Sequence, residues 1–216
     1  MDITYIISVL VVILFSMTLH EAMHAFMGYY LGDQTAKLEG RLTLNPIKHI
    51  DPFLTILLPV TLAIIGAPIF GGAKPVPFNP NMVRYGEWGA ALVALAGPLT
   101  NLLLAFIAFG ISVVVGQPVD LLLTTDASLV ELFLTLAVAV NLGFFIFNML
   151  PLPPLDGSRV LYALAPDFVR RGMEALEQYG IVVIFAIVLF ASPFIAAIMT
   201  SATDFFLEVF SIIFGV

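Results

Sequence analysis

Residues 3–33 read ITYIISVLVVILFSMTLHEAMHAFMGYYLGD, and the last third of this apolar run carries His20, Glu21 and His24. A membrane-spanning helix needs about 20 apolar residues. Nothing charged interrupts Ile3 to Leu19, while Gly32 and Asp33 supply a stop, so a first span from about residue 3 to residue 30 is expected. An ionisable group inside a span costs on the order of 3 kcal/mol. Three within five residues therefore need a compensating partner. His20, Glu21 and His24 form H-E-x-x-H. On a helix this spacing puts both imidazoles on one face, able to hold one metal ion, with the glutamate beside them as a base toward water rather than as a ligand. The alternative, a chance pattern of solvated residues, suits a soluble helix and not a buried one.

The rest of the chain supports a membrane setting. Hydrophobic residues make up 61% of the 216 and charged residues 11%, against roughly a quarter charged in ordinary globular proteins. Further apolar stretches at about 90–115, 129–149 and 179–196, with a last one at 205–216 too short to count as a full span, predict an all-α polytopic membrane protein. A single membrane-embedded domain over 1–216 is expected. Asp2 stands where a signal peptide would carry basic residues, so the first helix is expected to remain in the mature protein. With no cysteine, any metal must be held by imidazole and carboxylate. A net charge of -7 argues against a nucleic-acid partner.

Between the first and second spans, "RLTLN" alternates and is bounded by Gly40 and Pro46, which predicts a short extended or hairpin element over 37–45 within a membrane-edge region at about 37–80. The stretch at 53–70 is apolar but broken by Pro59, Gly66 and Pro68. If it crosses the bilayer, Lys37, Arg41 and Lys48 lie opposite Lys74, Arg84, Arg159, Arg170 and Arg171. If it dips in and returns, all eight basic residues share one side and the loop at 116–128, with Asp120 and Asp126, lies on the other. The positive-inside rule favours the re-entrant reading and a cytoplasmic basic side.

A catalytic zinc takes three protein ligands and keeps a fourth position open. Candidates for the third are Asp33, Glu39, His49, Asp51, Glu87, Asp156 and Glu174. Asp156 follows a helix that returns to the basic side, broken by Pro151, Pro153 and Pro154, and so reaches the depth of the histidines; the blander reading is a turn residue in an Asp-Gly pair. His49 is the runner-up, in a linker before Pro52 where a solvated histidine is the default.

The pairing of HEAMH with NMLPLPPLDG resembles the site-2 protease family of intramembrane zinc metalloproteases, whose second motif is N-x-x-P-x-x-x-L-D-G. Asn148, Pro151, Leu155, Asp156 and Gly157 match it position by position, and Gly97, Pro98 and Asn101 match the family's G-P-x-x-N helix. The resemblance implies a three-helix catalytic core over 3–30 and 90–157 with added C-terminal helices. It implies one zinc ion held by His20, His24 and Asp156, Glu21 as catalytic base and Asn148 as oxyanion stabiliser. The stretch LEGRLTLNP would be the family's membrane-edge β-element, and the length leaves no room for PDZ or CBS domains. The implied activity is regulated intramembrane proteolysis of single-span substrates, in the cell membrane with the site nearer the cytoplasm. Asn101 also has a plain reading as a helix-packing hydrogen-bonder.

The expected chemistry is hydrolysis of a peptide bond in a substrate helix that must first unwind, with residues 38–45 a candidate to hold the unwound strand by β-addition. Two rivals are a metal transporter, which would need polar residues where 5–17 are apolar, and a non-catalytic membrane scaffold. Substrate identity and oligomeric state are not legible in the sequence.

Overall fold

In the computed structural model, α1 (Ile3–Leu31) is a 29-residue helix, about 43 Å long at 1.5 Å per residue. That exceeds the roughly 30 Å hydrocarbon layer. The structure describes residues 3–57, 60–61, 72–117, 119, 121, 127–180, 182–183 and 192–216. After α1 come one helical turn, α2 (Thr35–Leu38), a 3-10 turn at Pro46–Lys48 capped by the Asn45 side chain, and a π-helical turn at Pro52–Leu57. Residues 72–79 run without regular secondary structure to a 3-10 turn at Pro80–Met82. The second long helix is α3 (Gly86–Val114) and the third α4 (Leu129–Asn148), which starts with a Ser128/Glu131 capping box. Two short helices, α5 (Gly157–Leu164) and α6 (Asp167–Glu177), precede α7 (Ser192–Phe214).

The helices α1, α3 and α4 pack on one another, and α7 lies against α3 and α4. Small side chains let the backbones approach: Ala105 and Ala108 of α3 meet Val138 and Leu142 of α4, all buried. The α7 contact is aromatic, with Phe210 edge-on to Phe106 and Phe109. Among the described residues, four helices, α1, α3, α4 and α7, are long and apolar enough to cross a membrane.

Three expectations change. Residues 37–45 are not a strand, and no strand occurs among the described residues. Their backbone bonds locally instead, Gly40 N–H to Lys37 O and Arg41 N–H to Ala36 O, while the Arg41 side chain turns inward to donate to the Lys74 carbonyl. Second, residues 192–196 belong to α7 rather than to a helix begun at Tyr179, whose middle lies outside the described residues. The polar interruption at 200–204 contains no Gly or Pro, and the helix runs through it. Third, α3 starts four residues before Ala90, which puts Trp88 inside its first turn.

The course of 53–70 falls largely on residues outside the description, as do Asp120 and Asp126. Its described flanks meet: the Thr55 hydroxyl donates to the Gly72 carbonyl at 2.7 Å. Close by, Lys74 N–H donates to His49 O, and Arg84 N–H to Leu31 O at the end of α1. The segments bearing Lys37, Arg41, Lys48, Lys74 and Arg84 thus gather where α1 ends and α3 begins.

Candidate metal centre and active site

His20 and His24 project from one face of α1, their rings T-shaped with centroids 4.6 Å apart. Their Nε2 atoms stand 3.0 Å from each other. Asp156, immediately before α5, places Oδ2 at 3.2 Å from His20 Nε2 and 3.4 Å from His24 Nε2. The motif's Gly157 is what lets the chain turn there. A Cβ on it would lie 2.3 Å from the Met149 carbonyl oxygen, so only a glycine allows the loop after α4 to fold back against the helix end. Gly97 performs the same service for α3, passing so close to the site that a Cβ would sit 2.4 Å from His24 Nε2.

The other ring nitrogens are already engaged. His24 Nδ1 lies 2.8 Å from the Val93 carbonyl oxygen, and His20 Nδ1 2.6 Å from Asn101 Oδ1. Both contacts are to acceptors, so each neutral ring carries its hydrogen on Nδ1 and turns the Nε2 lone pair inward. Two nitrogen lone pairs and a carboxylate oxygen then face one point with no donor among them, an arrangement that a cation relieves. Ligand atoms at about 2.1 Å from a tetrahedral zinc stand roughly 3.4 Å from one another. The observed separations of 3.0 to 3.4 Å fit such an ion with little adjustment. Among the described residues, His20, His24 and Asp156 form the group that could hold a metal.

Glu21 faces the same space. With His24, Val76, Pro154, Asp156 and Arg159 it lines a half-open cavity of about 160 Å³. Its Oε2 accepts the Val76 N–H at 2.8 Å, which ties the carboxylate to the 72–79 segment. A larger open groove of about 650 Å³ near Tyr29, Tyr30 and Arg84 shares no residue with this cavity.

The other candidates do different work. His49 is buried rather than solvated, its ring between the Thr43 carbonyl and the Arg41 guanidinium. Asp33 is buried too, accepting from Asn79 N–H and from the Thr35 N–H and hydroxyl. Burial alone would push its carboxyl up, but these three hydrogen bonds outweigh it and hold the group below the ordinary carboxylate value. Asn148 ends α4 half-buried with its amide donating to the Phe144 carbonyl, and it does not line the cavity. Glu39, Asp51, Glu87 and Glu174 are not part of the metal group. Sequence reasoning missed Val76, which acts through a backbone N–H and leaves no side-chain signature.

The family model for peptidase family M50 matches residues 8–192. The chain belongs to peptidase family M50. It is 40% identical over 214 residues to "Putative zinc metalloprotease YwhC" of Bacillus subtilis (strain 168), covering 97% of this chain and 92% of that protein. Identity to "Putative zinc metalloprotease Rip2" of Mycolicibacterium smegmatis is 30% over 181 residues, 83% of this chain and 65% of the relative. A shorter match, 41% over 69 residues, links it to "Putative zinc metalloprotease MJ0611" of Methanocaldococcus jannaschii, covering 32% of this chain and 31% of that protein. No solved structure matches the chain. The family and the donor set together make this a zinc metalloprotease, and its long apolar helices make it a multi-pass membrane protein.

Proposed function

We propose that the protein hydrolyses peptide bonds within or beside the transmembrane segments of single-span membrane proteins, in regulated intramembrane proteolysis at the cell membrane. The observation that carries this is depth. His24 and His20 lie seven and eleven residues before the end of α1, about 10 and 16 Å into the helix, between α1 and α3 rather than on an extramembrane surface. The segments bearing the basic residues meet at that end of the bundle, which supports a cytoplasmic placement of the site by the positive-inside rule.

His20, His24 and Asp156 would hold the zinc ion. Bound there, zinc supplies a Lewis acid that polarises the scissile carbonyl. The Glu21 carboxylate takes the proton of the attacking water and passes it to the leaving amine. The Val76 N–H fixes one oxygen of that carboxylate, leaving the other to face the cavity. At about 160 Å³ the cavity is too small for a helix, so a substrate enters as locally unwound chain. The irregular segment 72–79 forms a wall of this cavity, whereas 38–45 does not, so main-chain pairing with the unwound strand belongs to 72–79. Toward the other end of α1, Val9, Val12 and Ile13 pack on Leu136 in a stretch that carries no charged side chain to serve a transported ion.

The test compares purified wild type with Glu21→Gln for bound zinc and for cleavage of a model single-span substrate. Zinc in both and cleavage in wild type alone is the expected result. Metal flux without cleavage, or undiminished cleavage by Glu21→Gln, would overturn the reading.

A further inference from the structure

We propose that Asn101 and Asn141 are positioning residues that set the tautomer and orientation of His20 through a hydrogen-bond relay running across all three core helices. This rests on the zinc site proposed above.

The relay begins at a group with no freedom. The Ala137 carbonyl can only accept, and Asn141 Nδ2 lies 2.8 Å from it and 2.9 Å from Ser16 Oγ. Asn141 therefore spends both amide hydrogens there, and its Oδ1 must face Asn101. Asn101 Nδ2 donates to that oxygen at 2.9 Å. If the Asn101 amide were reversed, two amide oxygens would meet at that distance. Its Oδ1 is accordingly turned to His20 Nδ1, 2.6 Å away, and the ring must carry its hydrogen on Nδ1. Nε2 is left with a lone pair aimed at His24 and Asp156.

Burial makes this orientation compulsory. Asn101, Asn141 and Ser16 are 0%, 2% and 1% exposed, so no water is at hand to satisfy an alternative arrangement. The two histidines are then set by the same kind of anchor. His24 reads a backbone carbonyl directly, at Val93; His20 reads one through two amides, at Ala137. Because Ser16, Asn101 and Asn141 come from α1, α3 and α4, the relay also couples the metal site to helix packing.

A role confined to packing would lower stability and leave zinc affinity alone; a positioning role lowers zinc affinity as well, whatever the loss of stability. The experiment measures affinity for zinc ion by chelator competition on detergent-solubilised wild type, Asn101→Leu, Asn101→Asp and Asn141→Leu, with the melting of each zinc-free protein as the record of folding. Removing partners behind a metal-binding histidine typically weakens metal affinity 10- to 100-fold. Asn101→Leu is expected to lose about that much. Asn141→Leu touches no ligand yet frees the Asn101 amide to reverse, and it should show a smaller loss, roughly several-fold. Asn101→Asp has the same volume and keeps an acceptor against Nδ1, so it should bind zinc more tightly than Asn101→Leu even if it melts no higher. Selective ¹⁵N labelling of the three histidines in zinc-free protein should show the Nδ1–H form at His20 in wild type and a tautomer mixture in Asn101→Leu. Wild-type zinc affinity in Asn101→Leu, or an aspartate variant no better than leucine, would overturn the relay. Failure of the wild type itself to bind zinc would instead overturn the metal site.

Discussion

Replacing Gly97 by alanine adds one methyl group and should remove the metal. The new Cβ would lie 2.4 Å from His24 Nε2 and 2.7 Å from both Cε1 and Nε2 of His20. Ordinary contact begins near 3.4 Å, so either the rings retreat by about 1 Å or α3 moves away from α1 by as much. Retreating rings lose the site, because zinc–nitrogen distances tolerate only about 0.2 Å. Separating helices stretch the His20–Asn101 contact from 2.6 Å and the His24–Val93 contact from 2.8 Å beyond hydrogen-bonding range. Overpacking of this kind costs about 1–3 kcal/mol, within the 5–15 kcal/mol that a folded protein commands. The chain should therefore fold without its metal. The expected result is zinc affinity reduced by about 100-fold or more, loss of cleavage, and zinc-free melting lowered by several degrees only. Gly143→Ala is the control. Its Cβ would meet nothing nearer than the Met199 methyl group at 4.0 Å, and it should keep both zinc and activity. A Gly97→Ala protein that binds zinc like wild type would refute the close approach of α3 on which the site geometry depends.

Val76→Pro tests the anchor of Glu21. Flanked by Pro75 and Pro77, a third proline suits an extended backbone but deletes the N–H that Glu21 accepts; kcat should fall about 10- to 100-fold, as for losing a hydrogen bond to a charged group, with zinc retained, and an unchanged kcat would count against the role given to that bond. Asp33 sets an acid limit on stability. Its carboxyl is held below the value of 3.8 that it has when unfolded, so its contribution is complete above that value and is lost as pH falls through the lower, folded one. Asp33→Asn should accordingly be less stable than wild type at pH 7, with the gap closing below about pH 4; a gap that persists in acid melts would show that the charge is not what matters. Arg41→Met removes the donor to the Lys74 carbonyl and should cost about 1–3 kcal/mol, with faster proteolysis near 72–79; equal proteolysis rates would show that the segment is held by other contacts.

The metal residues were legible because their chemistry is costly where they sit. His20, Glu21 and His24 interrupt a run that otherwise suits lipid, and a run so apolar has few explanations for them. Asp156 needed either the motif or the structure, since an Asp-Gly pair alone reads as a turn. Elsewhere, hydrophobicity is a poor guide to what lies inside a membrane bundle. On α1, Ile7, Val11 and Phe15 are exposed while Val9, Val12 and Ile13 are buried, and nothing in their character separates the two faces. In water the apolar stripe of a helix marks its core side; in lipid both sides are apolar and the stripe disappears.

What marks the inner face instead is the small and polar minority. Ser16, His20 and His24 follow one another at intervals of four along α1, within about 80° of arc on one side of the helix, and the first two are buried. Asn101 and Asn141 occupy the facing helices. In a span a short hydroxyl can bond back to its own helix, as Thr18, Thr100 and Ser112 do, whereas Asn101 and Asn141 reach across to neighbouring helices. The two asparagines are thus statements about contacts between helices, and they trace the path from Ser16 to the metal. The alternation in "RLTLN" misled for the converse reason. At the membrane edge Arg41 is drawn inward by one carbonyl while Leu44 stays exposed, so polarity there no longer reports which way a residue faces. Inside the bilayer the rare polar residue specifies the fold; at its margin, hydrogen bonding to a particular backbone group, here the Lys74 carbonyl, overrides the pattern.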